Sequence, residues 1–126
     1  MRIAITGPHK EEVITRVETA LNTKAVRPSG GTGIIDLAAE LYKDYTGLHT
    51  VFVGSPFDGL AQNHADGYDD VYEQVAINSL GNLDYMAVIT MDMTRESQKM
   101  YEEYQKLFPD KIYLYPTPTE FELMMR

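Results

Sequence analysis

The residues best suited to chemistry in this sequence follow its first apolar run, in residues 3–9, IAITGPH. A strand that ends in a glycine turn and continues into a helix directs backbone N–H groups at one point, where a phosphate can be held. Here the turn is Gly7, Pro8 and His9, and Lys10 adds a positive charge directly after it. The pattern predicts a phosphate-binding turn near the start of the chain, with these four residues as candidate ligands.

A turn of this kind needs further groups before it can act on ATP. The pattern G-x-x-x-x-G-K-[ST] supplies a lysine for the β- and γ-phosphates and a hydroxyl for magnesium. The last three positions of that pattern, counted from the first glycine, fall on Glu12, Val13 and Ile14, and none has the required side chain. We therefore expect no ATP phosphotransfer and assign no catalytic residue. The turn is either a degenerate phosphate loop or an ordinary β–α turn.

Other polar residues follow the later predicted strands, and in an open parallel sheet ligands bind at the carboxyl ends of the strands. Arg27 precedes, and Thr32 lies within, a glycine-rich loop whose backbone amides would suit an anion. A flexible loop with a threonine helix cap explains the same residues without a function. Asp92 and Arg95 follow a buried strand, and a capping box there explains part of the pattern as well. Both groups are candidates for ligand binding.

Metal and thiol chemistry find little support in the sequence. Residues 62–73 are acidic but do not fit a calcium loop, because Gln62 and His64 occupy ligand positions. The chain has no cysteine, which excludes disulfides, thiolate catalysis and cysteine-ligated zinc. We therefore expect neither a metal site nor a cofactor.

Composition indicates one globular domain. The chain has 126 residues, of which 44% are hydrophobic, and a domain near this size buries roughly two thirds of the surface that its unfolded chain exposes. The net charge of −8 repels nucleic acids and anionic membranes. The apolar run after Met1 is too short for a signal peptide or a membrane span. We expect a single cytoplasmic domain, residues 1–126, that binds neither nucleic acid nor membrane.

Strands and helices alternate along the sequence, which is typical of a parallel sheet with crossover helices. The predicted strands are residues 2–6, 50–53, 85–90 and 112–115, with 24–27 as an additional short one, and the predicted helices are residues 10–21, 33–45, 69–80, 95–108 and 119–126. Right-handed crossovers place helices on both faces. We therefore expect a three-layer α/β sandwich of P-loop or Rossmann type, whose mostly parallel sheet has four or five strands and a central first strand. In the fourth helix, Met100, Tyr104 and Leu107 are expected to face the core.

The opening residues 2–9, RIAITGPH, resemble the start of P-loop nucleoside and nucleotide kinases, especially the small ATPase and kinase family that includes nicotinamide-riboside-kinase-like proteins. Residues 83–89, LDYMAVI, resemble a later strand of that family, written yDlvf. The resemblance is discontinuous and extends over most of the chain to residue 91. It implies a P-loop fold whose binding partner is a nucleotide or another phosphorylated small molecule.

A third segment carries the resemblance and also departs from it. In the family a strand ends in a segment similar to D-R-S-P-x-D-x-L-A-Y, and residues 54–62 of this chain read GSPFDGLAQ. The matching residues are Pro56, Asp58, Leu60 and Ala61. Asp58 joins the ligand-binding candidates, whereas Gly54 and Ser55 replace the family's Asp-Arg pair. The resemblance therefore implies a kinase relative that has lost ATP hydrolysis.

Two other readings stay open. The chain is also similar to nucleoside 2-deoxyribosyltransferases, which open with a strand and a Gly-Pro turn and are close to this length. That family needs a nucleophilic glutamate near a G-T-x-x-E segment, and the nearest match is residues 93–96, MTRE, without the glycine. The resemblance would make Glu96 or Glu102 the nucleophile. The third reading is a non-catalytic interaction protein that forms a homodimer through exposed tyrosines and methionines on its last helices.

Overall fold

The computed structural model describes residues 1–27, 49–54, 74 and 77–125. Its strands are β1 (Arg2–Thr6), β2 (Thr50–Val53), β3 (Tyr85–Ile89) and β4 (Ile112–Tyr115), and its helices are α1 (Glu11–Leu21), α2 (Arg95–Leu107) and α3 (Pro118–Met125). Residues 77–80 are also helical. The predicted helix at 33–45 and most of the one at 69–80 lie outside the described residues. No helix in the described part of the chain has the length and apolar character needed to cross a lipid bilayer.

The four strands form one parallel sheet in the order β2-β1-β3-β4. β1 pairs on both sides, with Ile3 opposite Val51 of β2 and opposite Tyr85 of β3. β4 pairs with the other side of β3. The predictions of a parallel sheet and of a central first strand are therefore confirmed.

The predicted strand at residues 24–27 is reduced to a single bridged residue. Val26 pairs in parallel with Phe52. Its N–H donates to the carbonyl of Val51 at 2.7 Å, and its own carbonyl accepts from the N–H of Val53 at 3.0 Å. The residues on both sides of this bridge in the sequence are polar or only partly buried. Pairing them with β2 would therefore bury little additional apolar surface, and the strand is not extended.

Helices cover both faces of the sheet, and this explains why successive residues of β1, β2 and β3 are buried whichever face they point to. Successive residues of a strand point to opposite faces. One face carries Ala4, Phe52, Met86, Val88 and Ile112, and α2 packs on it together with residues 80 and 83. The other carries Ile3, Ile5, Val51, Val53, Ala87, Ile89 and Tyr115, and α1 and α3 pack on it. The molecule is therefore an α/β sandwich of three layers, as the sequence predicts.

On their shared face, α1 and α3 contact the sheet and each other. Val13 and Val17 of α1, four residues apart, are buried against the sheet. Phe121 of α3 is buried in the same cluster. Arg16 of α1 forms an ion pair with Glu122 of α3. The two helices thus form one layer of the domain, on the same face of the sheet.

α2 packs on the core through two of the three residues predicted to face it, and the third is exposed. Tyr104 is buried as expected and Met100 packs at the edge of the core cluster, but Leu107 is 63% exposed. Tyr101 takes the central position and is 2% exposed. The helix ends at Leu107, and the following Phe108 turns back onto the core instead. Because both tyrosines of α2 are buried, they offer no exposed surface to a partner.

Candidate functional site

The candidate site lies at the carboxyl ends of β1 and β3, which are neighbours in the sheet. β1 leads into α1 on one face, whereas β3 leads into α2 on the other. Adjacent parallel strands whose connections leave to opposite faces form a crevice, and ligands of open α/β sheets bind there. The topology therefore brings the turn after β1 next to the segment after β3.

Gly7 makes the close approach of these two segments feasible. Its φ is +118°, a left-handed conformation that favours glycine. A Cβ atom at this position would lie 2.1 Å from the backbone carbonyl oxygen of Ile89, the last residue of β3. The glycine of the predicted phosphate turn is therefore required by the packing of the turn against β3, whether or not a ligand binds.

Backbone amides at the start of α1 are largely engaged within the turn itself. The N–H of Lys10 donates to the carbonyl of Gly7, that of Glu12 to His9, and that of Val13 to Lys10, each at 3.2 Å. Lys10 is the N-cap residue, and no side chain caps the helix. These bonds are those of a tight β–α turn, and they leave fewer amides to hold an anion than a phosphate loop would.

His9 connects the two sides of the crevice. Its Nε2 lies 2.7 Å from Oδ2 of Asp92, and its Nδ1 lies 3.2 Å from Oε2 of Glu12. The hydrogen bond with Asp92, and then that with Glu12, raise the pKa of His9 above its usual value because both favour the imidazolium ion. Asp92 has a φ of +59°, uncommon outside glycine. The ion cluster therefore fixes the turn after β1 to the segment after β3.

The guanidinium of Arg27 is already paired with an acidic side chain at the same edge of the sheet. Its guanidinium forms two hydrogen bonds with the carboxylate of Glu11, at 2.6 and 2.8 Å. The paired guanidinium lowers the pKa of Glu11 below its ordinary value. This bidentate pair joins the segment after Val26 to the first turn of α1. Arg27 therefore acts as a structural clamp here and would have to release Glu11 in order to bind an anion.

A cavity of about 740 Å³ lies beside the start of α2. The part of its wall formed by described residues consists of Met93, Arg95, Gln98, Lys99 and Glu102. Arg95 and Lys99 are four residues apart, as are Gln98 and Glu102, so the members of each pair lie on the same side of the helix. The helix starts at the N-cap Thr94, whose Oγ1 accepts a hydrogen bond from the N–H of Ser97 at 3.2 Å. The cap fixes the first turn and thereby the position of Arg95.

The structure brings some of the predicted site residues together and separates others. Gly7, Pro8, His9 and Lys10 lie at the crevice with Asp92, whereas Arg95 lines the neighbouring cavity. Arg27 is at the same edge but paired with Glu11. Thr32 and Asp58 lie outside the described residues.

Sequence reasoning missed Lys99 as a companion of Arg95. The signal was available, because two basic residues four apart in a predicted helix lie on the same face. Gln98 and Glu102 belong to that face as well, and the amide of Gln98 donates to the carboxylate of Glu102 at 3.3 Å. The cavity wall therefore combines two cations with a hydrogen-bonded polar pair.

Comparison with known proteins gives no match to any family model, curated protein or solved structure. The resemblances to P-loop kinases and to nucleoside 2-deoxyribosyltransferases therefore stand on the sequence segments that carry them.

Proposed function

We propose that this chain is a degenerate P-loop-like domain that binds a nucleotide or another phosphorylated small molecule and does not transfer phosphate from ATP. The observation that carries the proposal is the 740 Å³ cavity at the carboxyl side of β3, with Arg95 and Lys99 on its wall. Its volume falls within the range of small-molecule sites, roughly 300–1,000 Å³. The cysteine-free chain is suited to a reducing compartment, so we place this function in the cytoplasm.

The charges at the turn after β1 are the reason for excluding phosphotransfer from the proposal. Transfer of a γ-phosphate depends on cationic groups that neutralise charge in the transition state. At this turn, Glu12 and Asp92 both approach His9. Their carboxylates add negative charge at the turn, where phosphotransfer would require cations, and Ile14 occupies the position of the hydroxyl that would hold magnesium.

Two measurements test the proposal. Purified protein should show no ATP turnover above a buffer control, and turnover that disappears in Lys10→Ala would contradict the proposal. Saturating AMP or ATP should raise the melting temperature, because a ligand at one hundred times its dissociation constant stabilises the folded state by about 2.7 kcal/mol. For a domain of this size that corresponds to a rise of several degrees. An unchanged melting temperature with both nucleotides at millimolar concentration would contradict binding.

A second candidate function is a nucleoside 2-deoxyribosyltransferase activity, and one observation favours it. Both glutamates considered for the nucleophile are exposed. Glu102 lines the cavity, whereas Glu96 is not among the described residues that line it. Incubation with a deoxynucleoside and a different free base tests this directly. Formation of the exchanged nucleoside, abolished in Glu102→Gln and retained in Glu96→Gln, would establish the enzyme and replace the binding proposal.

A further inference from the structure

The cavity beside α2 differs from a general anion site in the number and position of its charges. We propose that Arg95 and Lys99 together hold the single phosphate group of a phosphomonoester, and that the site favours one phosphate over a triphosphate. This inference rests on the proposed function of the same cavity and names its ligand class.

The first argument is that both cations are available. In the described part of the chain, neither Arg95 nor Lys99 has an ion-pair partner, although the protein carries 19 acidic residues against 11 basic ones. The carboxylate on the same wall, that of Glu102, accepts a hydrogen bond from Gln98 instead. Two neighbouring cations on a cavity wall that pair with no carboxylate of the described residues are well suited to take an anion there.

The second argument is that the local helix gains nothing from this pair. Arg95 is the first residue of α2, where a positive charge opposes the helix dipole. Lys99 lies one turn further, and like charges four residues apart in a helix repel each other. Both arrangements are unfavourable in the absence of an anion, and a bound phosphate would relieve both.

The third argument concerns stoichiometry. A phosphomonoester carries up to two negative charges near neutral pH. The described wall has two cations and the carboxylate of Glu102, which leaves one net positive charge, so a single phosphate group already uses all of it. Arginine supplies a planar fork for two phosphate oxygens and lysine a compact point charge. Towards β1, the next charged groups include Asp92 and Glu12, whose carboxylates both lie against His9. The imidazole of His9, which these carboxylates favour in its charged form, and the ammonium group of Lys10 only offset them. A second or third phosphate extending in that direction would therefore find no net positive charge to balance it, so a triphosphate is disfavoured.

The remaining wall suits the rest of such a ligand. Met93 is partly buried against the core cluster and lines the cavity, and a thioether adapts its shape to flat or irregular apolar groups. The polar pair of Gln98 and Glu102 offers hydrogen bonds to hydroxyl or ring nitrogen groups. A nucleoside monophosphate therefore matches the wall better than inorganic phosphate does.

Isothermal titration with AMP, adenosine, ATP and inorganic phosphate tests the inference on the wild type and on three variants. Arg95→Gln and Lys99→Gln each remove one cation from the cavity, and Lys106→Gln removes an exposed cation from the last turn of the same helix as a matched control. We expect AMP to bind at least tenfold more tightly than ATP, adenosine or phosphate. Each cavity variant should weaken AMP binding about tenfold, since a charge-assisted hydrogen bond contributes enough binding free energy to change the dissociation constant by that factor. Lys106→Gln should bind as the wild type does.

The outcomes separate this inference from the proposed function. ATP binding as tight as AMP, or AMP binding unchanged in both cavity variants, would overturn the assignment of a single phosphate to Arg95 and Lys99 while a nucleotide site remained. Absence of binding by AMP, ATP and phosphate to the wild type would overturn the proposed function as well. Circular dichroism of each variant checks that the fold is retained, and because both side chains are exposed we expect no change.

Discussion

At the scale of single residues, the positions that matter most are those where a side chain or its absence decides a long-range contact. Gly7 is the clearest example, because the carbonyl of Ile89 occupies the place where its Cβ would be. The same glycine first indicated a phosphate turn. Its requirement for packing shows that a glycine at a β–α turn is weak evidence for a ligand when considered by itself.

Gly7→Ala should lower the free energy of unfolding by about 2–5 kcal/mol, from overpacking against backbone and strain at positive φ. The measurement is urea denaturation followed by circular dichroism. Gly81→Ala is the matched control, since Gly81 is exposed and its added Cβ would lie 3.2 Å from the carbonyl oxygen of Asn78. We expect a smaller loss there. Equal losses for the two variants would show that the close approach to Ile89 is not the cause.

His9 should make stability depend on pH. Its pKa is raised from 6.5 in the folded state by Asp92 and Glu12. Its contribution to stability is therefore complete below about pH 6.5 and is lost as the pH rises through the folded pKa. Asp92→Asn should bring the pKa of His9 down towards its ordinary value.

The imidazole titration of His9, followed by NMR, and the urea midpoint measured between pH 5.5 and 8.5 test this expectation. In the wild type the part of the pH dependence due to His9 should be a decline with rising pH, and it should be absent in His9→Gln. The same decline in His9→Gln as in the wild type would assign the effect to another group. A His9 pKa at or below 6.5 would contradict the ion cluster itself.

At the scale of elements, α2 shows how packing selects one face from a sequence that allows two. The spacing of Met100, Tyr104 and Leu107 predicts one apolar stripe, but Tyr101 and Tyr104 form the buried one. Both tyrosines pack on the sheet face that carries Met86 and Ile112. The larger rings reach the core near the middle of the helix, whereas Leu107 lies in the final turn.

Replacing Tyr101 by Ala should cost about 3–5 kcal/mol of unfolding free energy, which is typical of removing a buried aromatic ring. Leu107→Ala, a truncation on the same helix at a site that is 63% exposed, should change it by less than about 0.5 kcal/mol. Chemical denaturation of both variants measures the contrast. A larger loss of unfolding free energy for Leu107→Ala than for Tyr101→Ala would show that Leu107 faces the core, as the sequence spacing predicts.

At the scale of the whole molecule, the order β2-β1-β3-β4 places β1 and β3 between other strands and gives them layers on both faces. Strands at the centre of a sheet open only in large unfolding events, whereas edge strands also open locally. The strand order thus predicts a gradient of local stability across the sheet. It also places the candidate site on its most stable part.

Amide hydrogen exchange should show this gradient. The amides of β1 and β3, such as those of Ile5 and Ala87, should exchange at rates set by global unfolding. The amide of Tyr113, in β4 at the edge of the described sheet, should exchange faster. Comparison of the exchange free energies with the free energy of unfolding measured by denaturant provides the internal control. Slowest exchange in β4 would be inconsistent with this strand order.

The sequence by itself determined the architecture. Three of the four short apolar runs, those that become β1, β2 and β3, are buried on both faces, and a parallel sheet covered by helices satisfies that requirement. The four strands at residues 2–6, 50–53, 85–90 and 112–115 were therefore predicted to within one residue. The cap at Thr94 was also predictable, because capping depends on neighbours within one helical turn.

Only the tertiary structure decided which of the candidate residues meet. His9 and Asp92 are 83 residues apart in sequence, and Arg27 finds Glu11 rather than a ligand. Local patterns do not encode these contacts, because they depend on which strands become neighbours and on which face each connection leaves the sheet. The same reason explains why Lys99 was missed and Leu107 misplaced. A helix sequence gives the spacing of its side chains, but the layers packed around it decide which of them line a cavity, enter the core or remain in solvent.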